Sequence, residues 1–175
     1  MTEFLTLDGV YEDSTAWQRG YSPDDGPFKR AELFECGGLL LGRVTYEGFA
    51  GYWPTASGTG TFGERMNSLP KFVATTTLGA LEWNATALQG DVPTAVEALK
   101  RQDGQSLLVY GSGTLVQTLL RHGLVDELRL MVYPLVLGRG KRLFEGGDQL
   151  PLRLRSSREL GAGVVLLTYG PAEAG

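Results

Sequence analysis

The sequence predicts an α/β protein in three layers. A mixed, mostly parallel central sheet carries helices on both faces and ends in an antiparallel C-terminal hairpin. The prediction rests on three observations. Strand-like and helix-like segments alternate through most of the chain, which implies right-handed parallel crossovers. Two short apolar runs, Leu39–Leu41 and Ser106–Tyr110, each lead into glycine and then a helical pattern, as buried parallel strands do. Three strand-like segments then follow in succession, and the last two are placed to pair as a hairpin.

Taken in order, Phe4–Leu7 reads as the end of a strand closed by Asp8-Gly9. A first strand ending so early suggests either an edge strand or a start assigned late at Met1. Residues 11–26 are polar and turn-rich and read as a loop. Pro27 suits the first position of a helix, with Asp24 and Asp25 placed to cap it and Gly37-Gly38 to end it. Phe28, Ala31 and Phe34 recur at helical spacing, with Lys29, Glu32 and Glu35 between them. Leu39–Leu41 is a central strand, and Gly42 turns it into a helix from Thr45 to about Gly51. A short helical piece around Phe62–Leu69 follows, then a β-branched strand over Lys71–Thr77 and a short strand at Ala85–Leu88. Val92–Gln102 is an amphipathic helix. Ser106–Tyr110 enters the turn Gly111-Ser112-Gly113, and Thr114–His122 is a helix with Leu115, Val116, Leu119 and Leu120 on one face. Glu127–Tyr133, Leu152–Leu160 and Val164–Tyr169 are the closing strands.

The chain's 175 residues predict a single domain, 1–175, large enough to bury its own core. Sixteen Lys and Arg against twenty Asp and Glu leave a net charge of −4, which argues against nucleic acid as a partner. Cys36 is the only cysteine and His122 the only histidine, so no intramolecular disulfide and no Cys/His zinc site is expected. No apolar run reaches the ~18–20 residues of a membrane span, and no basic leader precedes the first strand, so the expected location is the cytoplasm. Glycine, at 25 of 175, is abundant and sits at the ends of apolar runs, where chains turn or approach ligands.

Several segments could carry chemistry. Gly42-Arg43-Val44-Thr45-Tyr46-Glu47 lies at the carboxyl end of a buried strand and opens a helix, where α/β sheets bind ligands. Helix amides, the Arg43 charge and the Thr45 hydroxyl suit a phosphate. The same residues also read as an N-cap beside a solvated arginine. Gly111-Ser112-Gly113-Thr114 repeats the arrangement but lacks the third glycine of G-x-G-x-x-G, so it reads equally as a tight capped turn. Thr75, Thr76 and Thr77 offer hydroxyls to a phosphate or ribose, or simply favour a strand. Gly138-Arg139-Gly140-Lys141-Arg142 is either an anion-holding loop or a solvated one. Asp8 could bind an amino-heterocycle or relay a proton, or only shape an Asp-Gly turn. Trp17, Tyr52 and Trp53 could stack on a flat ring or pack a rim.

T-L-D-G at 6–9, L-L-L-G-R-V-T-Y-E at 39–47, A-G-Y-W-P at 50–54, L-L-V-Y-G-S-G-T-L-V-Q-T-L-L at 107–120 and L-V-D-E-L-R-L-M-V-Y-P-L-V-L-G-R-G-K-R-L-F at 124–144 occur in this order. Together they resemble the dihydrofolate reductase-like superfamily, and most closely the stand-alone proteins similar to the RibD C-terminal reductase domain of riboflavin biosynthesis. The resemblance covers about residues 4–169. It implies a dihydrofolate reductase-like fold, NADPH as cofactor, a homodimer, and hydride transfer to a small pyrimidine- or pterin-like heterocycle. It places Gly42, Arg43, Thr45, Thr75, Thr76, Thr77, Gly111, Ser112, Gly113, Thr114 and Leu115 on the cofactor. It places Pro134, Leu137 and Gly138 on the substrate side; in a reductase of this kind Asp8 would be the catalytic residue that orients or protonates substrate, and Trp53 would close one wall. The sequence departs from the family in three places, one of them A-G-Y-W-P at 50–54, which stands where riboflavin reductases carry a substrate-loop pattern. Asp24 and Asp25 lie outside the first long helix, where folate reductases carry an acid inside it, and Tyr110 stands where riboflavin reductases carry an acid before the second glycine turn. The alternative is a non-catalytic nucleotide or small-molecule binding protein on the same fold.

Overall fold

The computed structural model describes residues 1–102, 104–146 and 149–172. The chain divides into two compact units, residues 26–115 and residues 1–25 with 116–175.

The first of these is built on a parallel sheet. Its strands are β2 (Gly38–Gly42), β3 (Lys71–Ala74), β4 (Ala85–Ala87) and β5 (Leu107–Val109), in the order β4-β3-β2-β5. The chain therefore runs outward from β2 through β3 to β4 and then returns to the other side of β2. That reversal makes β2/β5 the topological switch point of this sheet. Four helices accompany it: α2 (Gly26–Glu35), α3 (Arg43–Tyr52), α4 (Gly60–Ser68) and α5 (Val92–Lys100). The apolar run Leu39–Leu41 is buried throughout, as a central strand covered on both faces must be. Leu33, Cys36, Tyr46, Met66, Leu69, Val73 and Leu108 pack into the same core, edged by Phe49, Trp53, Phe62 and Trp83.

The other unit holds a mixed sheet of β1 (Thr2–Thr6), β6 (Leu128–Tyr133), β7 (Leu152–Glu159) and β8 (Val165–Pro171), in the order β1-β6-β8-β7. β1 pairs with β6 in parallel, and β6, β8 and β7 pair antiparallel. The predicted terminal hairpin is thus present, with a register shift between Leu154 and Ser156. The division of the chain falls within helix α6 (Gly113–Arg121), whose Leu115, Val116, Leu119 and Leu120 are buried as predicted.

The structure refines three expectations. The strands predicted in one sheet are laddered as two four-stranded sheets, one parallel and one mixed. The strand expected to reach Thr77 ends at Ala74, because Thr75 Oγ1 accepts the N–H groups of Thr77 and Leu78, each at 3.2 Å. This local turn competes with the ladder. The loop 11–26 contains a four-residue helix, α1 (Ser14–Trp17), which polar composition concealed. Trp17 anchors it, with Nε1 donating to the Glu12 carbonyl and the ring standing edge-on to Tyr133 at 5.3 Å. No helix among the described residues is long and apolar enough to cross a membrane.

Candidate functional site

The residues expected on the cofactor all fall in the unit 26–115. β2 and β5 are neighbours in parallel register, Leu40 opposite Val109, so their following turns meet at one edge of the sheet. Gly42 is the N-cap of α3 in extended conformation, and no side chain caps that helix. Its first amides therefore face outward at the switch point with the positive end of the helix dipole behind them. Arg43 Nη1 pairs with Glu47 Oε2 at 2.9 Å, one turn along α3, and both side chains are nearly half exposed. In the second turn Gly111 (φ +54) and Ser112 (φ +64) are consecutive left-handed residues. Ser112 Oγ accepts the Gly42 N–H at 2.9 Å and lies 3.0 Å from Thr45 Oγ1 and 3.1 Å from the Tyr110 carbonyl. Gly113 and Leu115 are buried, and Thr114 is exposed. Thr76 and Thr77 are exposed beyond β3, while the Thr75 hydroxyl serves its own turn. Two helix starts, a permanent cation and glycine turns on adjacent parallel strands fit an anionic dinucleotide.

Trp53 closes α3 and packs among aromatic rings, 5.7 Å from Phe62 and 6.5 Å from Phe49, while its carbonyl accepts from Asn67 Nδ2. A feature that sequence reading missed lies beside Tyr110. Lys29 Nζ stands 4.1 Å over the Tyr110 ring and 2.6 Å from Glu32 Oε1. Lys29 and Glu32 lie between the apolar positions of the α2 sequence, yet the Glu32 side chain is only 1 % exposed. Their i,i+3 spacing was the available signal.

Of the residues expected on the substrate side, Trp53 falls in the unit 26–115, while Asp8, Pro134, Leu137 and Gly138 fall in the other, where Asp8 is held by four donors. Its Oδ1 accepts from Thr6 Oγ1 at 2.7 Å and from the Leu137 N–H at 3.2 Å. Its Oδ2 accepts from the Gly138 N–H at 2.9 Å and from Arg142 Nη2 at 3.1 Å, and Arg142 Nε donates to the Asp8 carbonyl. The Thr6 hydroxyl, against an opposing effect of burial, and then the Gly138 and Leu137 amides and Arg142, hold the carboxyl well below the usual carboxylate range. Both oxygens are thus occupied within the protein and the ionised form is favoured. Asp8 is a clasp that fixes the loop carrying Leu137 and Gly138. Pro134, at the start of that loop, is exposed, and its carbonyl accepts from the Tyr21 hydroxyl at 3.4 Å. The basic loop is also less available than its composition suggests, since Lys141 pairs with Glu12 and Arg142 with Asp8.

A pH prediction follows for Asp8. Its folded-state pKa is depressed, so its stabilisation is present above the ordinary value of about 4 and is lost as pH falls below it. Acid titrations of Asp8→Asn and the wild type should show a lower midpoint for the variant near neutrality and convergence of the two in acid. Midpoints equal at pH 7 would remove the clasp.

No group of three His, Cys, Asp or Glu among the described residues could hold a metal ion.

Comparison with known proteins agrees with the fold. The sequence model of the RibD C-terminal domain matches residues 1–166. The uncharacterized protein YyaP of Bacillus subtilis (strain 168) is 30% identical over 135 residues, covering 75% of this chain and 72% of that protein. Among solved structures, a putative riboflavin biosynthesis protein from Shewanella sp. PV-4 superposes with a TM-score of 0.76 at 19% identity, covering 98% of this chain and 97% of that one. A pyrimidine reductase-like protein from Corynebacterium diphtheriae gives 0.67 at 12% identity, with 99% and 91% covered. The fold also recurs in a deaminase/5-amino-6-(5-phosphoribosylamino)uracil reductase from Thermotoga maritima, with a TM-score of 0.66 at 16% identity. There this chain covers 55% of the longer protein.

Proposed function

This chain belongs to the RibD C-terminal domain family, and from that premise we propose that it is an NADPH-dependent reductase of a small pyrimidine- or pterin-like heterocycle. The observation that carries the proposal is the meeting of the Gly42 and Gly111 turns at the β2/β5 switch point. NADPH would supply the hydride, and the protein supplies binding, orientation and electrostatics. The first amides of α3 and Arg43 hold phosphate, and Thr76, Thr77 and Thr114 offer hydroxyls along the same edge. Leu137 and Gly138, fixed by Asp8, are the substrate-side segment of their unit, and Trp53 is an aromatic candidate in the unit 26–115. The protein acts as a soluble cytoplasmic homodimer in this reading.

Arg43→Ala should weaken NADPH binding by about 1.5–3 kcal/mol if the guanidinium makes a charged hydrogen bond to phosphate. Glu47→Gln should strengthen it, because the i,i+4 pair of Arg43 with Glu47 competes with the ligand. Titration of NADPH fluorescence against both variants tests this. Affinity unchanged in both would remove Arg43 from the site.

A second reading, a binding protein without catalysis, is favoured by one observation: Asp8, the acid expected to serve the chemistry, is fully engaged as a clasp. It differs from the first in expecting NADPH binding with no NADPH consumed in the presence of pyrimidine or pterin substrates.

A further inference from the structure

Ser112 was expected to offer its hydroxyl to a phosphate. A serine hydroxyl has one proton to donate and two lone pairs to accept with. Here three partners surround it: the Gly42 N–H at 2.9 Å, Thr45 Oγ1 at 3.0 Å and the Tyr110 carbonyl at 3.1 Å. One assignment satisfies all of them: Ser112 donates to the Tyr110 carbonyl and accepts from both Gly42 and Thr45. The hydroxyl is then fully occupied within the protein. Two of the partners belong to the start of α3, Gly42 as N-cap and Thr45 in the first turn, while Ser112 belongs to the turn after β5. Some seventy residues separate them in sequence.

The backbone adds a second, independent observation. Ser112 sits at φ +64, directly after Gly111 at φ +54. A non-glycine residue there is strained, and glycine would relieve the strain at no steric cost. A serine at this position gains through its hydroxyl what it loses in its backbone. The two turns are also neighbours, since a Cβ added at Gly42 would be in ordinary van der Waals contact with Ser112 Cβ at 3.4 Å.

We propose that Ser112 is a positioning residue that does not touch the ligand but ties the β2–α3 and β5–α6 turns at a fixed spacing, so that the two ends of a dinucleotide bind as one unit. The inference rests on the dinucleotide reading above. Preorganisation of this kind lowers the ordering cost of a ligand that spans both turns and does little for a ligand that meets only one.

The experiment compares wild type, Ser112→Gly and Ser112→Ala. Each is measured for thermal midpoint, for Gly42 amide hydrogen exchange without ligand, and for affinity toward NADPH, 2′,5′-ADP and nicotinamide mononucleotide. Ser112→Gly should keep or raise the midpoint, because strain is removed, while Ser112→Ala lowers it. Both should speed Gly42 exchange and weaken NADPH by about tenfold, the effect of one lost hydrogen bond. Both should leave each half-ligand within about twofold of the wild type, since neither half spans the tie. A stable glycine variant that binds NADPH poorly separates positioning from a purely structural role, in which affinity would follow stability. Three results overturn the inference: unchanged Gly42 exchange, unchanged NADPH affinity in Ser112→Gly, or a half-ligand weakened as much as NADPH. A wild type that ignores NADPH overturns the dinucleotide reading and this role together. A wild type that binds it as tightly as Ser112→Gly does overturns this role alone.

Discussion

Replacing Lys71 by methionine should stabilise the protein at neutral pH and abolish a rise in stability between pH 8 and 10. Lys71 opens β3 and is only 1 % exposed. Its ammonium donates to the Asn67 carbonyl at 3.0 Å and stands 3.9 Å over the Trp83 ring. Burial pushes its pKa down to about 8. Against an ordinary value of about 10.4, that depression corresponds to about 3 kcal/mol of cost in the charged form. Methionine of similar length removes this cost but leaves the Asn67 carbonyl without that donor, a loss of about 1 kcal/mol. The net expectation is a gain of about 1–2 kcal/mol at pH 7. The sign with pH is fixed by proton counting. Below about pH 8 both states hold the proton and the cost is complete. Between about 8 and 10.4 the unfolded chain holds more protons, so stability rises with pH. Burial, aided by the Asp25 charge, raises the Tyr133 phenol to about 12, so above pH 10 the unfolded chain holds fewer protons and stability falls again. Wild type should therefore be most stable near pH 10 on urea titration, and Lys71→Met should show only the fall. A variant less stable than wild type at pH 7 would show that the carbonyl and ring contacts outweigh desolvation.

The largest destabilisation is expected from Gly140→Ala. Gly140 has φ +102, which side chains rarely adopt, and an added Cβ would come within 2.8 Å of Val10 Cγ1. Val10 is stiff and 1 % exposed, so it cannot yield cheaply. Strain and overpacking together should cost about 3 kcal/mol and lower the midpoint by about 6–12 °C. Gly140 lies between Gly138, held by Asp8, and Arg142, which bridges to Val10. The same variant should therefore loosen the segment that presents Leu137 and Gly138. A midpoint within a degree of wild type would show that this loop is not rigid.

Most elements were legible from periodicity and punctuation. The runs at 39–41 and 106–110 became adjacent parallel strands, and Gly42 and Gly111 became the turns that follow them. The chemistry of individual side chains was less legible, because it depends on partners distant in sequence. Asp8 looks like a free acid until Arg142, 134 residues away, reaches it. Ser112 looks like a ligand donor until parallel pairing of β2 with β5 brings Gly42 and Thr45 to its hydroxyl. Lys71 sits in a β-branched strand segment, and nothing local reports that Trp83 and Asn67 enclose its ammonium. Helix α1 left no apolar period, since a single residue, Trp17, anchors it.

The most direct measurement is thermal unfolding of the wild type with millimolar NADPH, NADP⁺ and NADH in parallel. A ligand at 100 times its dissociation constant stabilises by about 2.7 kcal/mol, which for a chain of this size raises the midpoint by about 5–10 °C. A dinucleotide cradle at the Gly42 and Gly111 turns with Arg43 beside it predicts a clear shift with NADPH, larger than that with NADH. No shift with any of the three would contradict it.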